Sequence, residues 1–406
     1  MSRPHIAILG AGPTGLEAAL AALDRGYPFT LYEASSRVAG SIRDWGHVRL
    51  FSPWSLDVSP RMARRLEAAG HRLPGPGESE GDFPTGHDLC DRVFEPLARL
   101  PELAPRIRTG VRVLEIGRQG LVKSDEIGTG RRAERPFRLL LTADGRESIE
   151  RADVVLDCTG TWRHPNALGD GGIAAPGESA LDGDRLARTI PDLSRDAGAW
   201  AGRAILLVGA GHSAQTAVCD LAALAESEPG TRVIWAVRSP APEWRVDPDD
   251  PLPERSRLTA RARALAEGAS PAVETVTGAV VESLTPEGDG VAVDLRRADG
   301  DLLRVRVGRI LALTGSVGDH RIYRQLQVHE CYATSGPMKL AAALLGSSSS
   351  DCLEQESHGA DTLVNPEPGF FILGSKSYGR NNTFLMRVGW QQVEEVFGLL
   401  AQAAAR

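Results

Sequence analysis

Two glycine clusters stand where a phosphate-bearing ligand would need them. The first, GAGPTG, follows the apolar run IAIL at residues 6–9 and puts Gly10, Gly12 and Gly15 in the spacing G-x-G-x-x-G. Gly10 allows a tight turn out of a strand, Gly12 lets the backbone approach a pyrophosphate, and Gly15 permits close packing of helix on strand. Pro13 falls at an early helical position, where its missing N–H is harmless, and Thr14 completes the loop. The helix N-terminus then offers free N–H groups and a positive dipole end to phosphates. Glu33 closes the next strand-like run and lies close to the spacing of about 20 residues expected for an acid that accepts ribose hydroxyls.

The second cluster, GAGHSA, follows the apolar run AILLV at residues 204–208 and carries Gly209, Gly211 and Ala214 at the same three positions. Alanine is an accepted third residue of this fingerprint. His212 and Ser213 lie inside the loop. The strand that follows ends at Arg238 instead of an acid, and a cation there suits a 2′-phosphate, favouring NADP over NAD. The plainer reading is a surface arginine, because the 46 basic residues include only Lys123, Lys339 and Lys376 as lysines. Two dinucleotide sites in one chain imply one bound redox carrier and one diffusing reductant. The first site suits FAD and the second NADPH.

The elements needed to position these loops can be traced along the chain. Leu16, Ala19, Leu20 and Leu23 recur at helical spacing after the first loop, Gly26 marks a stop, and a strand runs over residues 29–32. Ala217, Val218, Leu221 and Leu224 do the same after the second loop, before a strand over 233–237. Strand-like runs follow at 111–116, 137–142 and 154–157 in the first half, the last meeting Thr159-Gly160. In the second half they fall at 279–281, 291–295, 303–307 and 310–313, the last meeting Thr314-Gly315. Each half therefore reads as β-α-β, an antiparallel meander and a strand closing on Thr-Gly, an internal duplication. Pro- and Gly-rich stretches at 69–86, 239–256 and 346–369 read either as lids or as solvated connections.

Composition narrows the class. With 406 residues, 42% apolar and 24% charged, the chain is an ordinary globular protein of two to three domains. A net charge of −7 argues against nucleic acid or an anionic membrane as partner. The five cysteines contain no C-x-x-C, so neither a thioredoxin-type dithiol nor a zinc site is expected. No apolar stretch is long enough to span a membrane, and a cytoplasmic protein is expected.

These residues resemble the two-dinucleotide-binding flavoproteins, most of all the flavin-containing monooxygenases and N-hydroxylating enzymes. The resemblance rests on GAGPTG with Glu33, GAGHSA with Arg238, and the two Thr-Gly closures at 159–160 and 314–315. In SSRVAGSIRDW, Gly40, Ser41 and Trp45 match a segment near the flavin, with Ala39 replacing its first glycine. The resemblance implies an α/β fold of two Rossmann-like domains, each with a small antiparallel meander. An NADPH domain at residues 161–315 would interrupt an FAD domain made of residues 1–160 and 316–406. It also implies that NADPH reduces FAD and that the reduced flavin binds O2 as a C4a-hydroperoxide, which oxygenates a nitrogen or sulfur of a small molecule. Two departures stand out: the monooxygenase F-x-G-x-x-x-H segment is missing before residue 209, and Gly374-Ser375 replaces a Gly-Asp pair. An FAD/NADPH reductase or oxidase without oxygen insertion, or a redox-sensing binding protein, are the rival readings. A homodimer is left open.

Further candidate residues lie in two segments. Asn381, Asn382 and Thr383 precede a helix starting near Thr383 or Trp390. They read either as donors to flavin ring carbonyls or as caps of that helix. Ser52 and Trp54, in RLFSPWSLDVSP, read either as facing flavin or substrate or as ordinary core. With Asn382 they are the catalytic candidates, and Gly160 joins the nucleotide-binding set. Cys158 reads as a small buried hydrophobe.

Overall fold

The structure is a computed structural model and describes residues 3–74, 83–246, 248, 250–346 and 357–404. Parts of the loops expected at 69–86, 239–256 and 346–369, and Cys352, lie outside the described residues. The chain divides into two compact units, one formed by Met1–His164 with Val317–Arg406 and the other by Pro165–Ser316.

The first unit is built on five parallel strands in the order Phe370–Ile372, Val154–Asp157, Ile6–Leu9, Phe29–Glu33, Ile107–Thr109. Because side chains alternate across a strand, each strand feeds two cores. Ile6, Ile8, Val154 and Leu156 pack with the helices, including Leu16 and Leu20 of Pro13–Asp24 and Val393 and Phe397 of Met386–Ala404. Ala7, Leu9, Val155 and Phe370 face the other way, onto Ile116, Phe137 and Leu139. Those last residues belong to an antiparallel meander of Val111–Arg118, Phe137–Ala143 and Arg146–Ala152. Burial on both faces explains why these parallel strands read as unbroken apolar runs. Each such aliphatic residue contributes roughly 1.5–3 kcal/mol of burial energy.

The second unit repeats the plan. Its parallel strands run in the order Val273–Thr277, Arg232–Val237, Ala204–Val208, Arg309–Ala312, Leu186–Ala187. Ile205, Leu207, Val233 and Trp235 pack with the helix His212–Ser227, while Leu206, Ile234 and Ala236 face the meander Ala279–Glu287, Gly290–Arg297, Leu302–Val307. The fold is α/β with two three-layer units. No described helix is long and apolar enough to cross a membrane.

Several elements differ from the sequence reading. Arg146–Ala152 is a strand that periodicity does not show, because it is an outer meander strand whose side chains are mostly exposed. Ile107–Thr109, Val273–Thr277 and Leu186–Ala187 are further short strands at or near sheet edges. The last helix starts at Met386, between the two starts expected, so Asn381, Asn382 and Thr383 precede it without capping it. Instead the Asn381 side chain accepts from the Thr383 amide at 2.9 Å and from its hydroxyl at 2.8 Å, closing a local turn.

Candidate functional site

The first glycine loop turns from the strand Ile6–Leu9 into the helix Pro13–Asp24, and its three glycines do three different things. Gly10 has φ +90°, and a Cβ there would lie 2.7 Å from the Cys158 carbonyl oxygen. At Gly15 a Cβ would come within 1.8 Å of the Gly10 carbonyl oxygen, so only glycine lets the helix sit this close. Gly12 is extended, and a Cβ there would meet nothing within 4 Å. It faces open space instead of protein. No side chain caps the helix, so the N–H groups of its first turn remain available where Gly12, Pro13 and Thr14 line a cavity.

That cavity, of about 760 Å³, lies wholly within the first unit. Its size is that of a cofactor pocket. Gly10, Gly12, Pro13, Thr14, Glu33, Gly40, Ser41, Trp45 and Gly160 all line it; Gly15 does not. Glu33 is buried at the end of its strand. One carboxylate oxygen accepts from the Ala11 amide at 2.8 Å and the other from the Ser35 amide at 2.8 Å. Each oxygen keeps a second lone pair for a donor in the cavity. Ala39 sits at φ 56°, a left-handed conformation that favours glycine, which accounts for the glycine usual there in the resembling segment. Trp45 meets Trp162 edge to face at 6.3 Å on the cavity wall. Cys158, also on the wall, is a neutral thiol, because burial pushes it well above its ordinary range.

The remaining candidates sit elsewhere. Trp54 is packed in the helical core. Ser52 donates to Asp57 at 2.8 Å, and burial raises that carboxyl to about 7 despite this bond. Neither residue, nor Asn381, Asn382 or Thr383, lines the cavity.

In the second unit, Gly209 is close-packed, with a Cβ there 2.3 Å from the Leu313 carbonyl oxygen, whereas Gly211 again meets nothing within 4 Å. Gly211, His212 and Ser213 are exposed at the uncapped start of the helix His212–Ser227. Two stacked tryptophans, 4.6 Å apart, hold this loop: Trp235 donates to the Gly209 carbonyl at 2.7 Å and Trp244 to the Ala210 carbonyl at 3.2 Å. Arg238 directly follows the strand Arg232–Val237. It is exposed and makes no hydrogen bond or ion pair with another described residue.

No family model matches this sequence, and comparison with curated proteins finds no match. Solved structures do match, over nearly whole chains. Bacillithiol disulfide reductase from Bacillus cereus superposes with a TM-score of 0.70 at 18% identity, over 99% of this chain and 100% of that one. Ornithine N-hydroxylase from Kutzneria sp. 744, solved with reduced FAD, NADP+ and L-ornithine, gives 0.65 at 14%, over 99% and 100%. Thioredoxin reductase from T. acidophilum gives 0.59 at 14%, over 100% of both chains. The chain has the fold of the two-domain FAD/NADPH flavoproteins.

Within this flavoprotein fold, several wall residues escaped sequence reasoning. Arg112 and Val113 come from the meander, Asp319 and Arg321 from the segment re-entering the first unit, and Phe384 and Met386 from the approach to the last helix. None carries a local motif; only the sheet order brings them together. Gly374 and Ser375, visible in sequence as a departure from Gly-Asp, do line the cavity. A Cβ on Gly374 would lie 2.8 Å from the Thr14 hydroxyl.

Proposed function

We propose that this protein is an FAD-dependent monooxygenase that uses NADPH and O2 to oxygenate a nitrogen or sulfur atom of a small molecule. The first unit is the FAD-binding unit and the second the NADPH-binding unit. The observation that carries the FAD assignment is the cavity itself. Its open glycine, uncapped helix start and Glu33 match the phosphates and ribose of a dinucleotide at successive points.

When bound, FAD supplies hydride acceptance and the activation of O2. The chain's own residues bind and shield. The first turn of Pro13–Asp24 donates to the pyrophosphate, and Glu33 accepts from ribose hydroxyls. Trp45, Trp162, Phe384 and Met386 supply an apolar wall that excludes water. The His212–Ser227 helix start receives the second pyrophosphate, and Arg238 holds a 2′-phosphate. The balance is NADPH, a proton, O2 and substrate giving NADP+, water and oxygenated substrate.

The similarity to disulfide reductases favours a second reading, reductase without oxygen insertion. The sequence has no C-x-x-C, and Cys158, the cysteine on the cavity wall, is a neutral thiol and hence a poor nucleophile. Both points count against a disulfide as the electron acceptor and leave oxygen or a small molecule in that place. Purified protein should be yellow and should consume NADPH, O2 and an amine or sulfide in equal amounts. Stoichiometric peroxide across a broad amine and sulfide panel, or NADPH-dependent cleavage of a disulfide, would overturn the monooxygenase reading.

A further inference from the structure

Lys376 is a buried lysine with an unusual set of partners. It is 1% exposed, on the turn Gly374–Tyr378. Its ammonium donates to Asp157 at 2.6 Å, to the Thr159 hydroxyl at 3.2 Å and to the Asp319 carbonyl at 2.7 Å. Those are all three of its donors. Asp157 is fully buried at the end of the strand Val154–Asp157, and its other oxygen accepts from the Thr159 hydroxyl at 2.7 Å and amide at 3.2 Å. The segment before Asp319 closes directly over the lysine stem, where a Cβ on Gly318 would come within 2.5 Å of Lys376 Cγ.

The three partners are not equivalent in sequence. Lys376 lies 219 residues from Asp157, 217 from Thr159 and 57 from Asp319. Thr159, Asp319 and the neighbour Ser375 each line the cavity, and each comes from a different turn. One ammonium therefore sets the spacing of three cavity walls. Buried ion pairs contribute little net stability compared with well-packed apolar residues, so stability alone is a weak reason for this one. What an apolar pair cannot do is hold a hydroxyl and a carbonyl at fixed hydrogen-bond distance.

We propose that the buried Lys376–Asp157 pair is a positioning device for the flavin cavity, holding the turns at Thr159, Asp319 and Ser375 at the separation that FAD requires. This rests on the FAD assignment above.

The test compares apoprotein of wild type, Lys376→Met and the double variant Asp157→Asn/Lys376→Met, which has no buried charge. FAD affinity is read by quenching of flavin fluorescence, the flavin environment by its visible spectrum, and folding by thermal unfolding of the apoprotein. Lys376→Met should weaken FAD binding about ten-fold or more, the scale of one cofactor hydrogen bond lost when the turns it holds shift, and change the visible spectrum. The double variant should regain thermal stability while its FAD binding stays weak. It also decides the matter if the single variant does not fold. Soluble variants that bind FAD within about two-fold of wild type, with an unchanged spectrum, overturn the proposal alone. Wild type that does not bind FAD overturns the flavin reading itself.

Discussion

Gly12→Ala and Gly15→Ala differ by a single methyl group three residues apart, yet they should fail in opposite ways. At Gly12 the backbone is extended, at φ −82° and ψ −171°, which alanine adopts freely, and its Cβ meets no protein atom within 4 Å. The apoprotein should keep its stability or gain about 0.4–1 kcal/mol from a less flexible unfolded chain. The methyl would instead occupy the path of the pyrophosphate. Displacing one charge-assisted hydrogen bond costs about 1.5–3 kcal/mol, or roughly 10- to 150-fold in FAD affinity. At Gly15 the methyl would lie 1.8 Å from the Gly10 carbonyl oxygen, so the turn must shift by more than an ångström. Overpacking of this kind costs about 1–3 kcal/mol, which lowers the melting temperature by roughly 2–12 °C for a unit of this size. Thermal unfolding of the apoproteins, paired with FAD titration, measures both quantities. A Gly12→Ala protein that binds FAD like wild type, or that is less stable than Gly15→Ala, would refute the division of labour argued here.

Arg238→Ala should raise the Michaelis constant for NADPH far more than that for NADH; equal effects would remove the 2′-phosphate role. Glu367→Ala should destabilise the fold by about 3–5 kcal/mol in urea unfolding. It leaves Arg118 and Arg132 buried and unpaired, where they now donate to Glu367 at 2.6 and 2.9 Å. Burial alone would raise the Glu367 carboxyl, but Arg132 and Arg118 overcome it and hold it below the ordinary range. Its stabilisation is therefore present above the unfolded value near 4.5 and is lost as pH falls through the lower folded value. An acid-unfolding midpoint unchanged by Glu367→Gln would contradict that linkage. Asp57 is the opposite case, raised from 3.8 to about 7 by burial. Ionising it costs stability progressively between those values, so Asp57→Asn should stabilise by about 2–4 kcal/mol at pH 8 and by almost nothing near pH 3. A benefit independent of pH would argue against the raised value.

Much of the fold was legible because its constraints are local. Gly10 is needed for its φ of +90° and Gly15 because its backbone meets the Gly10 carbonyl, both within one six-residue loop, and Ile6–Leu9 is apolar throughout because both its faces are covered. Glu33 could be found because its strand ends beside that loop. The candidate cavity was legible in the same measure: nine of the residues assigned to nucleotide binding from sequence line it. Arg146–Ala152 was not legible, since an exposed outer strand carries no apolar alternation. Ser52 and Trp54 show the converse. Their local pattern, two aromatics among prolines, suits either a ligand-facing loop or a core, and packing placed Trp54 in the core and turned Ser52 to Asp57.

By itself, then, the amino-acid sequence determined the two glycine loops, the duplicated β-α-β plan and the apolar strands that carry them. Each of these depends on residues within one turn or one repeat of each other. The tertiary structure alone decided the cavity's far walls and the buried charges. Lys376 finds Asp157, and Glu367 finds Arg118, across more than 200 residues of chain. Such pairs have no spacing rule. They are set by which strand ends the sheet order brings together, and by the cost of leaving a charge buried without a partner.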